Sequence, residues 1–314
     1  MRFLRNKSLK TCSTFCIGGT AEYFFETASI NEVLEAVAKA KEKRIRWRVM
    51  GGGSNILFPD KKVKGLIIRL NGGQIRKDGE DVIAPAGLPL SRLISFSIEH
   101  GLRGLESLSG IPGTVGGAIY GNAGAYGQSV SDHLAKVEVF DGKERKWLSK
   151  RECGFSYRDS VFSAKGGSAS GGKRKRWIIL QATFSLERGR RDELEEAAGR
   201  IMRERLKKYP PTLRCPGSFF KNPLLWEVPK SALKTIDRRK IIDGKIPAGY
   251  LLEEVGARGM AQGGIRVAHY HGNLFINMGN GTERDAKRLA KTLKERVKRK
   301  FGILLEEEVQ AWKA

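Results

Sequence analysis

Two stretches of this chain carry so much glycine that they call for a chemical reading first. Gly51, Gly52, Gly53, Ser54 and Asn55 spell GGGSN, and from Leu105 to Leu134 seven of thirty residues are glycine, with almost no charge. Bare backbone of this kind lets N–H groups converge on phosphate oxygens, because no Cβ stands in the way and strained dihedrals are open. In the second stretch the candidate ligand contacts are Ser109, Gly110, Ile111, Pro112, Gly113, Thr114, Gly116, Gly117, Ala118, Gly121, Asn122, Ala123 and Gly124. GGGSN is not the G-x-G-x-x-G fingerprint, and GIPGTVGGA lacks the Gly-Lys-Ser/Thr ending of a P-loop, so neither familiar nucleotide motif is present. Two separated glycine loops suit a long ligand held at two places, and a dinucleotide such as FAD has that length.

Metal chemistry finds little support. Cys12 and Cys16 are spaced like half a zinc site, but no second Cys or His pair stands at partner spacing, and zinc takes four ligands. His269 and His271 in VAHYHGNLFIN alternate as if along a strand, facing one side, where a structural or substrate-contacting role fits better than metal ligation. No metal is therefore expected, and four scattered cysteines are too few for a disulfide scaffold.

The chain has 314 residues, 40% hydrophobic, with a net charge of +24. That length favours two domains, each able to bury a core. No apolar run approaches the roughly 20 residues that span a bilayer. The basic N-terminus MRFLRNKSLKTCSTFC lacks the apolar segment and cleavage site of a secretory signal, so a cytoplasmic location and no membrane partner are expected. Such a charge is what a nucleic-acid binder would show. The clearest basic clusters, 166–176 and 284–300, carry neither a recognition motif nor interleaved aromatics for stacking, so no dedicated nucleic-acid partner is expected. The charge instead favours anionic small molecules.

The elements that must position these residues follow from periodicity and punctuation. AEYFFETA (21–28) reads as a strand, and SINEVLEAVAKAKEKR as a helix opened by Ser29 and Glu32 in capping-box spacing. IRWRVM runs from there into GGGSN, closing a β-α-β unit over about 18–60. GLIIRL and DVIAPAG follow as strands, then a helix with Leu90, Leu93, Ile94 and Ser97 on one side. KVEVFDGKERKWLS reads as a hairpin about Asp141-Gly142, and RWIILQATFSL as a strand. A helix over 191–208 is halted by YPPTLRCPG, which marks a linker. The expected division is 1–205, comprising 18–60 and 61–205, followed by 206–314. A last helix is capped by Thr282 with Asp285 and stopped by Gly302, and a strand over about 303–312 ends the chain.

Six segments, GGGSN (51–55), LSGIPGTVGGAIYGNAGAYG (108–127), FSYRDSVF (155–162), GSFFKNP (217–223), AGYLLEEVGARG (248–259) and LLEEEV (304–309), stand in an order and spacing that resemble the bacterial UDP-N-acetylenolpyruvoylglucosamine reductases. The resemblance runs from about Cys16 to Val309. It implies an α+β fold: a FAD-binding domain of the vanillyl-alcohol-oxidase (PCMH) type, then a smaller α/β substrate-binding domain, with the C-terminal strand returning to the active site. It also implies non-covalent FAD, NADPH as hydride donor, UDP-N-acetylglucosamine enolpyruvate as substrate, and a monomer.

The implied reaction is reduction of an enolpyruvyl ether to a lactyl ether, which drives negative charge into the substrate carboxylate and ends in protonation of carbon. Arg158 suits the carboxylate, since a guanidinium stays charged and pairs through two parallel N–H groups. Ser218 suits the proton donor, provided that the site activates its hydroxyl. Glu308 takes the place of the family carboxylate; Glu307 stands where proline is usual and Gln310 where arginine is. If the segment is a strand, Glu306 and Glu308 share a face, and residue type alone does not separate them. Asn222 matches a position that contacts the nucleotide end, Lys221 beside it suits the diphosphate, and Arg258 replaces a usual lysine. The 60-residue interval from Arg158 to Ser218 implies the shorter family form, without an extra tyrosine-bearing loop that closes over substrate.

Overall fold

A computed structural model describes residues 1–163 and 177–314, so the Gly/Ser insert at 166–172 and its basic end at Arg176 lie outside the described residues. The chain forms two compact units. One comprises Met1–Lys7, Ala21–Gly52 and Lys64–Lys207, the other Ser8–Thr20, Gly53–Val63 and Lys208–Ala314. Segments 8–20 and 53–63 thus cluster with the C-terminal part, although a linear division near 205 groups them with the N-terminal part.

In the first unit a four-stranded sheet runs in the order Leu4–Ser8, Thr20–Thr27, Val63–Leu70, Trp47–Met50. Helix Ile30–Glu42 joins Thr20–Thr27 to Trp47–Met50, and Val63–Leu70 inserts between those strands, pairing in parallel with the latter. The helix forms because Val33, Ala36, Val37 and Ala40 recur on one face, and all four are buried. Its N-cap departs slightly from expectation. Ser29 accepts the Glu32 N–H, but the Glu32 carboxylate meets the Thr27 hydroxyl, which in turn accepts the Ser29 N–H. Thr27 is therefore inserted into the reciprocal half of the box.

The second sheet of this unit is antiparallel, in the order Arg145–Ser149, Leu134–Phe140, Ile178–Ser185, Asp81–Pro85, Arg76–Asp78. Its hairpin turns at Asp141, whose Oδ1 accepts the N–H groups of Lys143 and Glu144. Helix Leu90–Glu99 buries Leu90, Leu93, Ile94 and Ser97, as its periodicity predicts, and the three apolar ones join one cluster with Val82, Ala84, Val115 and Ile119. The following helix, Val115–Tyr120, belongs to the second glycine stretch. Helix Arg191–Lys208 is mostly exposed, with Leu194 buried and Ala198 packed against the same core.

In the second unit, strands Ala261–Gln262, Ile265–Ala268 and His271–Asn277 form a meander. Two bridges widen it, Ser218 to Leu274 and Phe220 to Glu307. Helix Glu283–Phe301 covers it with Leu289, Leu293, Val297 and Phe301, each burial contributing about 1.5–3 kcal/mol. This helix has the full capping box of Thr282 with Asp285 and a left-handed stop at Gly302 (φ 70°). Phe219 stacks on Phe275 at 4.1 Å.

Two expectations are corrected here. The C-terminal strand covers only Gln310–Ala311, pairing in parallel with Ile56–Leu57, because the segment before it is bridged to 218–220 and the chain passes from one partner to the other. His269 and His271 do not share a strand face. Ala268 pairs directly with His271, so His269 and Tyr270 form the hairpin turn, and His271 alone begins the strand. Among the described residues no group of three or more His, Cys, Asp or Glu is arranged to hold a metal, and no helix is long and apolar enough to cross a membrane.

Candidate functional site

In the first unit the two glycine stretches meet. A Cβ on Gly51 would overlap the Thr114 hydroxyl outright, one on Gly52 would lie 3.2 Å from the Gly113 Cα, and one on Gly116 would lie 2.7 Å from the Ala86 Cβ. Glycine at these positions lets distant segments of the chain approach one another. The amides that open helix Val115–Tyr120 are also engaged within the fold: Val115 N–H donates to Leu88 O, Gly116 N–H to Ala86 O and Gly117 N–H to the Thr114 hydroxyl. Gly117 and Gly121 differ, because a Cβ there would meet nothing closer than 3.5 Å and 4.0 Å. The second stretch thus has a packed side and an open side.

Asn122, at φ 43°, directly follows Gly121. Its Nδ2 donates to Ser156 O at 2.9 Å, while its buried Oδ1 has no donor within reach among the described residues. The FSYRDSVF loop is tied to the same backbone. Ser160 Oγ donates to Tyr120 O at 2.7 Å and Arg158 Nη2 to Gly124 O at 2.8 Å, with the guanidinium 5.4 Å from the Tyr157 ring centre. Residues 156–159 make a tight turn closed by Ser156 and Asp159, and Arg158 occupies its left-handed position at φ 56°. A non-glycine residue held there costs about 1 kcal/mol or more, which argues that the side chain itself is required. On the other flank Met202 and Arg205 pack at Gly110, each with an atom 3.1 Å from where a Cβ would stand.

The second unit assembles the remaining candidates around the tail of GGGSN. Gly53, at φ 71°, leaves no room for a Cβ against the Cys12 carbonyl. Thr14 Oγ1 lies 2.7 Å from Cys215 O and 3.2 Å from Ser54 O, pinning the loop before Ser218 to the glycine loop. Asn55 Nδ2 donates to Glu308 O at 3.0 Å, and Gln310 N–H donates to Asn55 O at 2.9 Å. The buried Asn55 Oδ1, like that of Asn122, has no donor within reach among the described residues. Between these anchors Glu308 N–H donates to Phe219 O and Lys221 N–H to Glu306 O. The register sets Glu306 opposite Lys221, which it pairs at 2.8 Å, and Glu308 opposite Phe219, one step from Ser218. The Ser218 hydroxyl lies 3.5 Å from that of Tyr209.

The nucleotide-end candidates already have protein partners. Asn222 Oδ1 accepts the Ala248 N–H at the start of helix Ala248–Glu253. Arg258 donates to Glu253 at 2.6 Å, whose other oxygen accepts the Gly272 N–H. His271, packed near Gly249, is pushed below the usual imidazole range by burial, with Lys208 adding to the effect. Burial also pushes the Cys153 thiol up to about 12, so it is no nucleophile at neutral pH.

Thr14, against Cys215 and Ser54, Tyr209, against Ser218, and Arg205, at Gly110, adjoin these candidates and are not singled out by the sequence. Only the proline-flanked KKYPP setting of Tyr209 hinted that the chain stops there beside the Ser218 loop. Within the first unit, the orphaned Asn122 oxygen and the open faces of Gly117 and Gly121 fit a ligand that brings N–H or O–H donors and planar bulk, as a flavin dinucleotide does.

Comparison with known proteins agrees. The FAD binding domain family matches residues 21–146, and the family described as UDP-N-acetylenolpyruvoylglucosamine reductase, C-terminal domain, matches 209–312. The UDP-N-acetylenolpyruvoylglucosamine reductase of Solibacter usitatus is 42% identical over 96% of this chain and 94% of its own length. That of Caldanaerobacter subterraneus subsp. tengcongensis is 33% identical over 97% and 92%. The crystal structure of UDP-N-acetylenolpyruvylglucosamine reductase from Thermus caldophilus superposes with a TM-score of 0.75 at 29% identity, covering 100% of both chains. With its α+β architecture, a FAD-binding domain and the reductase C-terminal domain, the chain belongs to the UDP-N-acetylenolpyruvoylglucosamine reductase family of FAD-binding oxidoreductases.

Proposed function

We propose that the chain catalyses NADPH-dependent reduction of UDP-N-acetylglucosamine enolpyruvate to UDP-N-acetylmuramate, a step of peptidoglycan precursor synthesis serving cell shape and division, as a monomer in the cytoplasm. Residues 1–205 supply the FAD-binding domain and 206–314 the substrate-binding domain. Non-covalent FAD, bound along Gly51–Asn55 and Ser109–Gly124, would supply the two-electron chemistry that carries hydride from NADPH to the carbon–carbon double bond.

The chain's own residues have three tasks. Arg158 receives the substrate carboxylate as negative charge gathers there; its guanidinium is permanently charged and is already oriented by Gly124 O. Ser218 delivers a proton to carbon, and the Tyr209 hydroxyl at 3.5 Å is the neighbour that can replenish it. Glu308 stabilises the charged intermediate, its backbone fixed by Asn55 and Phe219. Lys221, Asn222 and Arg258 serve the nucleotide end, and their bonds to Glu306, Ala248 and Glu253 preset their geometry before substrate arrives.

The observation that carries this reading is the meeting, at Ser54 and Asn55, of the glycine loop, the Ser218 loop and the Glu308 segment. Stopped-flow spectroscopy of the two half-reactions tests it. Ser218→Ala should leave flavin reduction by NADPH intact and slow reoxidation by enolpyruvyl substrate about 10²–10⁴-fold. Equal loss in both halves, or a purified protein without flavin absorbance, refutes the reading.

A further inference from the structure

We infer that an anionic lipid surface docks on a basic, apolar-tipped knob formed by residues 224–245. The knob is built by short-range pairing. Leu225 N–H donates to Gly244 O at 3.0 Å, Leu224 bridges Lys245, and Ile242 and Lys245 exchange two 2.9 Å hydrogen bonds around Asp243 (φ 48°) and Gly244 (φ 70°). Trp226 and Ile242 are thereby carried on neighbouring segments.

Sorting of side chains within the knob leaves those two outside. Val228, Ala232, Ile236 and Ile246 turn inward and are buried, whereas Trp226 is 77% and Ile242 58% exposed. Single exposed apolar residues are ordinary on a protein surface; a tryptophan this bare beside an isoleucine is not. The exposed residues of the same segment include Lys230, Lys234, Arg238, Arg239 and Lys240, with Arg239 paired to Asp237. Glu227 and Asp243 are exposed as well, but from Lys221 to Lys245 seven basic residues face three acidic ones.

Charge and chemistry together select the occupant. A second copy would bring the same positive knob and be repelled. A nucleic acid would be drawn by the cations, but Ile242 offers no π face, and Trp226 is the knob's only aromatic residue. An anionic membrane satisfies both features: lysine and arginine meet the headgroups, tryptophan prefers the boundary, and isoleucine enters the acyl region. Each basic residue at such a surface raises partitioning on the order of fivefold. The missing bilayer-length apolar run and secretory signal, on which the expectation of no membrane partner rests, do not bear on a surface patch of this kind.

The test is cosedimentation of the full chain with vesicles of phosphatidylcholine alone or mixed equally with phosphatidylglycerol, near physiological salt. Binding is expected only with the mixed vesicles, weakening as salt rises. Trp226→Ala with Ile242→Ser should reduce it about tenfold, and Lys230→Glu with Lys234→Glu more. Difference emission against Trp226→Phe should show a blue shift for Trp226 on vesicles. Three results overturn the inference: no binding to the mixed vesicles, binding that survives the Trp226 and Ile242 changes but falls when Arg288, Lys298 and Arg299 are reversed, or tighter binding to labelled RNA that these knob variants abolish.

Discussion

Gly51→Ala tests the claim that glycine in GGGSN serves loop-on-loop packing. No positive φ protects Gly51, so alanine brings no backbone strain and its effect must come through the new methyl group. That methyl would overlap the Thr114 hydroxyl and stand 3.3 Å from both Thr114 Cβ and Cγ2. Thr114 is the N-cap of helix Val115–Tyr120, accepting the Gly117 N–H at 3.3 Å. Relief of the overlap requires the hydroxyl to leave, which costs about 1 kcal/mol for the cap, and the overpacked methyl adds about 1–3 kcal/mol. The expected loss is about 2–4 kcal/mol, and each kcal/mol lowers the melting midpoint by about 2–4 °C in a unit of this size.

A double-mutant cycle isolates the mechanism. Thr114→Ala alone should lose only the cap, about 1 kcal/mol, and removes the atom that the new methyl strikes. The pair should therefore cost about 1–2 kcal/mol, less than the sum of the singles by at least about 1 kcal/mol. Urea unfolding of the four proteins, read by circular dichroism, measures the coupling. Gly53→Ala is the contrast, since its methyl meets the Cys12 backbone carbonyl at φ 71° and no side-chain deletion can relieve it. If the Gly51 and Thr114 changes prove additive, the loops do not touch as described and the account of Gly51 fails.

Further outcomes follow from single observations. Glu308→Gln should slow substrate-driven reoxidation strongly, whereas Glu306→Gln, which removes only the half-exposed partner of Lys221, should mainly raise KM; the reverse pattern would shift the C-terminal register. Arg158→Gly should abolish turnover with little change in melting midpoint, because relief of the φ 56° strain, about 1 kcal/mol, offsets the lost bond to Gly124 O; a large destabilisation would make Arg158 structural. His271 is depressed by burial, so between its folded pKa and about 6.5 the unfolded chain binds more protons and stability rises with pH. Melting midpoints should accordingly fall more steeply on acidification from pH 7 to 5 in the wild type than in His271→Gln. Of the four thiols, Cys12, Cys153 and Cys215 are buried, so an aromatic disulfide reagent should titrate Cys16 first in the native protein.

What could be read before folding was whatever neighbouring residues decide. Ser29 and the 3.6-residue recurrence from Val33 to Ala40 specify a helix locally; so do Leu90, Leu93 and Ile94, and Thr282 with Asp285 and Gly302. The site was legible only as motifs whose roles came by resemblance. Its assembly depends on bonds such as Thr14 to Cys215 and Asn55 to Glu308, which join residues 201 and 253 positions apart. No local pattern announces them. The shortened C-terminal strand has the same origin, since its length depends on where the 218–220 and 56–57 segments come to lie. The glycine stretches are the instructive case. Their abundance suggests room for a ligand, yet Gly51, Gly52 and Gly116 are spent on contact between distant segments of the chain, and room remains at Gly117 and Gly121. Composition could not divide these roles, because a glycine pressed against a distant segment and a glycine open to a ligand are the same letter, and the partners that distinguish them, Thr114, Gly113 and Ala86, are brought there only by the fold.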